Sequence, residues 1–185
     1  MDDIVKQAMH KWPNVPDCYG WLGLDERGQW YMRDDGAQAQ GAFTSGQPGA
    51  KGSLLTHSKL IDFIARNYDA DAQGCWYFQN GPQRVYVELQ AAPWVWRLDT
   101  DGRITSHTGR EAHYQQGLVD ETGRVYLFTD LGLGLVHTMD VNTVAQRIEV
   151  GDWSAQEVLA DELAARFAFE RSPERQWRQS LAKQP

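Results

Sequence analysis

The chain has 185 residues, of which 42% are hydrophobic and 23% are charged, a composition typical of a globular protein. This length allows one ordinary domain or two small ones. Lysine and arginine number 18 against 25 aspartates and glutamates, so the formal net charge is −7. That balance disfavours a general binder of nucleic acid or of anionic membranes, because both need a positive field.

Targeting and cysteine content indicate the compartment. No apolar run approaches the roughly 18–20 residues of a membrane span. The N-terminus opens with Met1-Asp2-Asp3, which is acidic where a secretory signal is basic. Cys18 and Cys75 are too few for a disulfide scaffold. We therefore expect a cytoplasmic protein with two reduced thiols, and the spacing leaves a Cys18–Cys75 bridge open as the alternative.

The first half of the chain alternates helices with short strands. Apolar residues at helical spacing predict a helix over residues 2–12, which Pro13 and Pro16 end. Alternating apolar residues bounded by turn residues predict strands. In chain order we predict strands over 19–24 and 29–33, a loop without periodicity over 34–53, a helix over 56–68, and strands over 75–79, 84–90 and 94–98.

The second half begins with strands and ends with helices. We predict strands over 116–119, 124–129 and 133–138, followed by a short helix near 141–148. A capping box at Ser154–Glu157 predicts a further helix that continues to about residue 168. Residues 171–185 are locally basic, and we expect this tail to fray, although Trp177 suggests docking.

These elements predict an α+β fold with antiparallel β meanders in two related small modules and packed helices. The predicted division is an N-terminal helical segment over 1–16, a first α+β module over 17–110, a second, β-rich module with a C-terminal helix over 111–170, and the basic tail. The relation between modules depends on residues 24–31 and 119–126, which share the pattern apolar-Asp-Glu-x-Gly-polar-apolar-Tyr. Convergent hairpin turns explain this match as well as a duplicated module with a ligand crevice does.

The order of several motifs resembles a known family. The motifs are Cys18-Tyr19-Gly20, Asp25-x-x-Gly28-x-Trp30, the Leu60–Ile64 helix, Gly74-x-Trp76-Tyr77-Phe78, Val85-Tyr86-Val87-Glu88 and Ala92-Pro93-Trp94. Over residues 17–150 they look like an uncharacterised proteobacterial domain of unknown function, whose members carry two related small α+β modules in tandem. The resemblance implies that fold and a ligand-sensing or signalling role, and it implies no catalytic residues.

Several segments approach a catalytic or metal-binding motif without completing it. Asp69–Gly74 starts like a calcium loop, but Asn80 stands where a bidentate glutamate is required. Asp99–Gly102 lacks the same glutamate. Gly46–Ser53 has the composition of a phosphate loop without its Gly-Lys-Ser/Thr order. The histidines lack metal-ligand spacing. We therefore expect no metal site and no cofactor, and we assign no catalytic residue.

One face of the 84–90 strand combines an arginine, an aromatic ring and a carboxylate, which suits recognition of a small polar or anionic ligand or of a partner protein. An arginine would anchor an anion, an aromatic side chain would stack, and an asparagine would hydrogen-bond. A solvated sheet face with cross-strand pairs is the alternative interpretation. The predicted ligand-binding residues are Asn80, Arg84, Tyr86, Glu88, Trp94, Arg97 and His57.

The leading hypothesis is a non-enzymatic binding or sensing module that acts in the cytoplasm and contacts neither nucleic acid nor membrane. Homo-oligomerisation is compatible with it. One alternative is a hydrolase or transferase that uses His57, at a helix start, as a general base with Asp62 or Glu88. The other is an interaction subunit that docks through residues 4–12.

Overall fold

The structure is a computed structural model, and it describes residues 1–183. The chain forms two compact units, each with its own sheet and helices, which confirms the α+β class. Unit 1 contains residues 1–25, 29–90 and the stretch from Phe169 onward, and unit 2 contains residues 26–28 and 91–168. The change of unit at Gln90 and Ala91 precedes the module boundary that we predicted at 110/111. No helix over residues 1–183 is both long enough and apolar enough to cross a bilayer.

Unit 1 is built on a six-stranded sheet with the strand order β3-β2-β1-β6-β5-β4. Labels follow chain order over the whole molecule. Its elements are α1 (Asp3–Lys11), β1 (Cys18–Leu24), β2 (Trp30–Met32), α2 (Asp35–Ala39), β3 (Ser53–Leu54), α3 (Ser58–Arg66), β4 (Tyr68–Ala70), β5 (Trp76–Asn80), β6 (Gln83–Leu89) and α6 (Pro173–Ala182).

Helices cover both faces of the unit 1 sheet. On one face, the ring of Phe63 in α3 meets Phe78 with 5.4 Å between centroids. On the other face, Trp177 of α6 stacks on Tyr19 at 5.0 Å. Side chains alternate along a strand, so Phe78 and its partner Val85 belong to the α3 face. The neighbouring pair Tyr77 and Tyr86 belongs to the α6 face.

Unit 2 is built on a seven-stranded sheet with the strand order β13-β10-β11-β12-β7-β8-β9. Trp94, Val95 and Trp96 of β7 lie at the centre of its core, each 1% exposed or less. Its elements are β7 (Trp94–Leu98), β8 (Ile104–Ser106), β9 (Glu111–Ala112), β10 (Tyr114–Asp120), β11 (Val125–Thr129), β12 (Gly132–Val136), α4 (Val141–Glu149), β13 (Ala155–Val158) and α5 (Leu163–Arg166).

The two sheets share a strand order and a pairing register. Read from β9, the second sheet runs β9-β8-β7-β12-β11-β10, as the first runs β3-β2-β1-β6-β5-β4. Residues of β4–β6 have counterparts 49 positions later, since Tyr68↔Phe78 and Phe78↔Val85 correspond to Gly117↔Leu127 and Leu127↔Gly134. Residues of β1–β2 have counterparts 74 positions later, since Leu24↔Trp30 corresponds to Leu98↔Ile104. The central pair of each sheet is parallel, with Leu22↔Val87 in the first and Trp96↔Val136 in the second.

The strand pairing contains three parallel pairs in addition to the antiparallel meanders that we predicted. The parallel pairs are β1–β6, β7–β12 and β10–β13. Each antiparallel hairpin is set by local turn residues, whereas a parallel pair joins strands that are distant in the chain. Nothing in a local pattern marks which distant strands will pair, so the sequence predicts the meanders and not how they join.

The two turns that we matched in the sequence have the same geometry. Asp25 Oδ1 accepts the Gln29 N–H at 2.8 Å, and Asp120 Oδ1 accepts the Arg124 N–H at 2.9 Å. The turn glycines Gly28 and Gly123 have φ near +80°, as predicted. The register equates Asp25 with Asp99 instead, whose Oδ1 accepts the Arg103 N–H in the same way.

Three predicted segments differ from the structure. The first is the helix predicted over 154–168, which is wrong in its first part. Ala155–Val158 forms β13 and pairs in parallel with Gly117–Asp120 of β10. A Cβ at Gly117 would lie 2.5 Å from the Ser154 carbonyl oxygen, so the absence of a side chain there lets this segment approach the sheet. A capping box predicts a helix from local residues alone. Here the segment pairs with the edge of β10 instead, which is a contact between residues far apart in the chain.

The other two segments are more ordered than predicted. The tail forms α6, with Ser172 as its N-cap and Pro173 in its first turn, which is a regular helix start. The 34–53 loop contains α2, capped by Asp34, and its carbonyls at Gly41 and Ala50 accept hydrogen bonds from the Arg33 side chain. A single buried arginine therefore organises a segment without periodicity.

Candidate functional site

The predicted ligand-binding residues lie in several parts of the molecule. Arg84, Tyr86 and Glu88 alternate along β6 and share the α6 face of unit 1. Asn80 ends β5 and His57 precedes α3, both also in unit 1. Trp94 and Arg97 belong to β7 of unit 2. The structure thus brings together the three β6 residues, and it is on them that a site can be built.

Tyr86 is buried under the C-terminal helix. Its side chain is 4% exposed, and its ring stacks on Tyr19 with 4.6 Å between centroids and an angle of 4° between ring planes. Trp177 of α6 stacks on the other side of Tyr19. The Tyr86 hydroxyl donates to Asp71 Oδ2 at 3.0 Å. Burial raises the pKa of Tyr86, so the phenol stays neutral and holds the stack in place.

Glu88 anchors the start of α6. Its carboxylate is 3% exposed and accepts the Ser172 hydroxyl at 2.6 Å and the Glu174 backbone N–H at 3.0 Å. The negative charge lies at the N-terminal end of a helix, where the helix dipole favours an anion. Burial nevertheless raises the pKa of Glu88. Both oxygens are engaged by α6, so this carboxylate fixes a helix and does not face an open site.

Arg84 is the member of the β6 face that reaches open space. Its side chain is half-buried, and its guanidinium lies over the Tyr77 ring, 4.8 Å from the centroid. A hydrogen bond with Tyr86 raises the pKa of Arg84, and Asp17 adds a favourable charge interaction. Among residues 1–183, no carboxylate forms a salt bridge with it. The arginine is therefore held by aromatic contacts and keeps donors for a ligand.

The cavity beside this arginine, which we call the Arg84 cleft, has a volume of about 730 Å³. It lies between α1, the proline-containing connection to β1, and the β5–β6 turn. Its polar side chains include three that are or can be cationic, one carboxylate and one buried amide. Its lining residues are Met1, Lys6, Met9, His10, Pro13, Asn14, Val15, Pro16, Asp17, Gln79, Pro82 and Arg84.

The buried amide is Gln79, which pairs with Arg84 across the β5–β6 ladder. Its side chain is 1% exposed, and its Nε2 donates to the Gly81 carbonyl at 2.9 Å. Its Oε1 has no hydrogen-bond partner among the described residues. An enclosed acceptor without a donor is costly. Gln79 is thus a buried amide at the cleft wall whose oxygen lacks a donor among the described residues.

His57 and Asn80 take other roles in unit 1. His57 is exposed and caps α3, since its Nδ1 accepts the Leu60 N–H at 3.3 Å. Within residues 1–183 it forms no ion pair with Asp62, and Glu88 is engaged by α6. The proposed general base therefore has no paired carboxylate. Asn80 lies at a second pocket, on the α3 face.

The two predicted residues in unit 2 are occupied by contacts within that unit. Trp94 is 1% exposed, and its indole Nε1 donates to the Leu131 carbonyl at 2.8 Å. Arg97 is exposed, and its Nε donates to Asp140 Oδ2 at 2.6 Å. Arg97 therefore already pairs with a carboxylate of the chain, which is the group that we expected an anionic ligand to supply.

The cysteines and the N-terminal helix complete the comparison with our expectations. Cys18 and Cys75 are both free thiols, and burial raises the pKa of Cys75 to about 12. No group of acidic, histidine or cysteine side chains within residues 1–183 is arranged to hold a metal. On α1, Val5 is 1% exposed and Ile4 is 72% exposed, and Trp12, directly after the helix, is 51% exposed. The docking hypothesis for residues 4–12 stays a prediction.

Sequence reasoning missed the residues that surround Arg84. Lys6 and His10 come from residues 1–16, which we treated as a separate helical segment, and Asp17 is the first residue of the predicted first module. For Gln79 the sequence did contain an indication, because it shares a strand face with Tyr77 on β5, the strand next to β6. Its burial and its unsatisfied oxygen are properties of the folded chain, and no local pattern shows them.

Comparisons with known proteins identify a family and give remote structural similarity. A family model, DUF2944, described as "Protein of unknown function (DUF2946)", matches residues 1–179. No curated protein matches the chain. A DUF1285 family protein from Silicibacter pomeroyi is 15% identical, with a TM-score of 0.47, over 75% of this chain and 74% of that one. A DUF1285 family protein from Shewanella baltica is 14% identical, with a TM-score of 0.47, over 72% of this chain and 97% of that one.

Proposed function

The chain belongs to the DUF2944 family of proteins of unknown function, and we propose from its own geometry that it is a non-enzymatic binding protein. Its ligand is a small anionic molecule, and its site is the Arg84 cleft. The observation that carries the proposal is Arg84 itself, a half-buried arginine that is attracted by Asp17 but forms no salt bridge among the described residues, at the wall of a cavity of about 730 Å³. That volume is in the usual range of small-molecule sites.

The charge of the cleft supports an anion as the ligand. Lys6 and Arg84 line the cleft with one carboxylate, Asp17, in a chain whose formal net charge is −7. Lys6 contacts Asp3 at 3.0 Å, but both side chains are largely exposed, so this ion pair competes weakly with a ligand. A local excess of positive charge on an acidic protein concentrates anions at that place.

The polar contacts of the cleft suggest what else the ligand carries. The guanidinium of Arg84 presents a planar set of donors that matches a carboxylate or a phosphate. Gln79 Oε1 needs a donor. A ligand with an anionic group and a nearby hydroxyl or amine satisfies both residues, whereas a simple inorganic anion satisfies only the arginine.

The equivalent strand orders of the two sheets support the tandem-module part of this proposal. Matching registers over six strands are what a duplicated module leaves when its two copies diverge. The ligand-sensing or signalling role and the cytoplasmic location belong to the same proposal, and the two free thiols support the location. Neither affects the test of the site.

A thermal-shift screen followed by calorimetry tests the proposal. The probes are phosphate, citrate, lactate, amino acids, mononucleotides and sugar phosphates, since a ligand that binds the native state raises its melting temperature. We expect Arg84→Ala to raise the Kd of the best probe at least tenfold. The matched control is Arg103→Ala, which removes an exposed arginine of unit 2. Asp17→Asn should lower the same Kd, because it removes the one carboxylate of the cleft.

Two results would overturn the proposal. One is a complete screen in which no anionic probe shifts the melting temperature. The other is a bound probe whose Kd responds equally to Arg84→Ala and Arg103→Ala. Arg84→Lys keeps the positive charge and loses the planar donors, so an intermediate Kd for this variant separates recognition of shape from attraction by charge alone.

A further inference from the structure

A second pocket of unit 1 lies on the α3 face of the sheet, opposite the face that carries Arg84. We call it the Cys18 pocket. It has a volume of about 240 Å³ and is formed by side chains of β1, β2, β5, β6, α3 and the connection before α3. Its lining residues are Cys18, Trp21, Leu22, Met32, Leu55, Leu60, Ile64, Phe78, Asn80 and Val85.

The walls of this pocket determine the charge of what it can hold. None of its lining residues carries a charged side chain. Burial raises the pKa of Cys18, so the thiol is neutral as well. An ion would lose its hydration without gaining a partner there. The pocket is therefore complementary to an uncharged molecule, in contrast with the cationic Arg84 cleft.

One amide supplies polarity. Asn80 is exposed, and its side chain makes no hydrogen bond within residues 1–183. Asparagine offers both a donor and an acceptor. An otherwise apolar cavity with a single polar side chain is the usual composition of a small-molecule site, in which the apolar walls give affinity and the polar group gives orientation.

The exposed aromatic and thioether side chains give a further reason to expect an occupant. Trp21 is 40% exposed and Met32 is 48% exposed, although both are large apolar residues on the central part of a sheet. An apolar cavity of roughly 150 Å³ is known to be large enough to bind benzene. A cavity of about 240 Å³ accommodates a molecule of one or two rings.

We infer that the Cys18 pocket binds an uncharged aromatic molecule of one or two rings, whose hydroxyl or amine group is held by Asn80. The inference does not depend on the proposed anion site. The two pockets lie on opposite faces of one sheet and have no lining residue in common.

The thiol provides a direct test with 2-naphthol as the probe. Iodoacetamide labelling followed by peptide mass spectrometry follows Cys18 and Cys75 separately. Cys75 is 3% exposed with its pKa raised to about 12, so it serves as an internal control. Saturating 2-naphthol should slow alkylation of Cys18 at least tenfold and leave that of Cys75 unchanged. Equal rates for Cys18 with and without 2-naphthol would overturn the inference.

Variants then place the probe in the pocket. Val85→Trp fills the cavity and should weaken 2-naphthol binding at least tenfold, whereas Val150→Trp, at an exposed position of unit 2, should leave it unchanged. If Val85→Trp does not fold, Met32→Trp closes the mouth from a half-exposed position and should have the same effect. Asn80→Ala should weaken 2-naphthol but not naphthalene.

The same measurements identify two competing results, and each overturns the inference. Protection of Cys18 without any probe, growing with protein concentration, means that a second copy of the chain covers the pocket. Unchanged 2-naphthol binding in both Val85→Trp and Met32→Trp means that the probe binds elsewhere. Neither result affects the Arg84 cleft, which is tested with anions and with Arg84→Ala.

Discussion

The two sheets use one backbone arrangement for two different surfaces. Their strand orders and registers correspond, yet the face of β5–β6 that carries Arg84 has four polar residues in unit 1, while three of their four counterparts in unit 2 are apolar. The corresponding residues, 49 positions apart, are Gln79 and Phe128, Arg84 and Leu133, Tyr86 and Leu135, and Glu88 and His137. The backbone therefore does not require the polar set of unit 1.

The cover of each face differs in the same way. In unit 2, the Phe128 ring meets Phe167, next to α5, with 5.0 Å between centroids, an ordinary apolar contact. In unit 1, α6 is held by the Glu88 carboxylate and by Glu174, which reaches Arg33. Apolar cover suffices to stabilise such a sheet. In unit 1, Glu88 and Tyr86 hold α6 by polar and stacking contacts, and Arg84 is the residue of this face that lines a cavity, which directs the search for function to Arg84.

A second pair of equivalent positions follows the second strand of each sheet. Arg33 and His107 are 74 positions apart, and their backbone N–H groups donate to the equivalent carbonyls of Trp21 and Val95. Arg33 uses its side chain to hold the segment that follows it. The ring of His107 instead accepts the Val95 N–H at 3.3 Å. Equivalent positions thus hold a charged arginine that binds several carbonyls in one unit and a neutral hydrogen-bond acceptor in the other.

The largest effect on stability is expected from removing the Arg33 side chain, which holds the segment that follows it. Arg33 is 1% exposed and donates to three backbone carbonyls, of Gly20, Gly41 and Ala50, and to Glu174. Arg33→Met leaves these acceptors without their donor, so we expect it to lower the free energy of unfolding by about 3–5 kcal/mol, as for other broken buried ion pairs. Urea unfolding followed by tryptophan fluorescence measures it.

The matched control for this change is Arg66→Met. Arg66 pairs with Asp2 at 3.2 Å, but its side chain is 55% exposed, so the expected loss is about 1 kcal/mol or less. If Arg33→Met costs no more than Arg66→Met, the side chain does not organise residues 34–53, and the contrast with His107 loses its physical basis.

A smaller effect is expected at Glu88, which tests whether α6 depends on polar contacts. Glu88→Ala removes the acceptor for Ser172 and for the Glu174 N–H. We expect a loss of about 2 kcal/mol, the cost of leaving buried polar groups unsatisfied. Glu88→Gln keeps an oxygen for the N–H and an amide for the hydroxyl, so its loss should be about 1 kcal/mol or less. Equal losses for the two variants would contradict this account.

The pH dependence of stability also tests Glu88, and the raised pKa of its carboxyl fixes the direction of the expected change. Burial raises its pKa in the folded state, so the folded state holds this proton more tightly than the unfolded state does. The resulting stabilisation is present below the ordinary glutamate pKa and is lost as pH rises through the raised value. Glu88→Gln lacks this loss. Its stability relative to the native protein should therefore increase between pH 4 and pH 7, as measured by urea unfolding at each pH.

The strands are the part of the fold that the sequence predicts best. The strand predicted over 94–98 is observed as Trp94–Leu98, and that predicted over 75–79 is observed as Trp76–Asn80. Alternation and the Asp-x-x-Gly turns are local properties, so a single segment contains the information. The pairing of β1 with β6 and the capture of Ala155–Val158 by β10 depend on residues far apart in the chain. They could not be predicted in this way.

The candidate site was predictable to the same extent. Alternation placed Arg84, Tyr86 and Glu88 on one face of a strand, as observed. The sequence analysis missed that α6 buries two of the three and leaves Arg84 beside a cavity, because we treated residues 171–185 as a fraying tail. Helix signals were present at Ser172 and Pro173. The apolar side chain that packs α6 onto the sheet, Trp177, finds its partner, Tyr19, only in three dimensions.

The smallest effect is expected at His107, the neutral counterpart of Arg33. Burial lowers the pKa of its ring to about 3, so the unfolded state takes up a proton first as the pH falls. The contribution to stability is present above the ordinary histidine pKa and is lost as pH falls toward the lowered value. Because water reaches part of the side chain, we expect a loss of about 1 kcal/mol between pH 7 and pH 5, below the limit of 1.36 kcal/mol per pH unit.

The variant His107→Gln isolates the contribution of His107 protonation to the pH dependence of stability. Glutamine retains an acceptor for the Val95 N–H and does not titrate, so its stability should fall less than that of the native protein over the same pH range. Other groups, such as Asp130, also lose stabilisation in acid, and comparing the two proteins at each pH cancels their contribution. Parallel pH profiles for the two proteins would mean that the pKa of His107 is the same in the folded and unfolded states, which contradicts the prediction. A native stability that rises toward pH 5 relative to His107→Gln would mean that the ring is protonated in the fold. The equivalent positions of the two units would then both hold a buried cation, and the contrast between them would disappear.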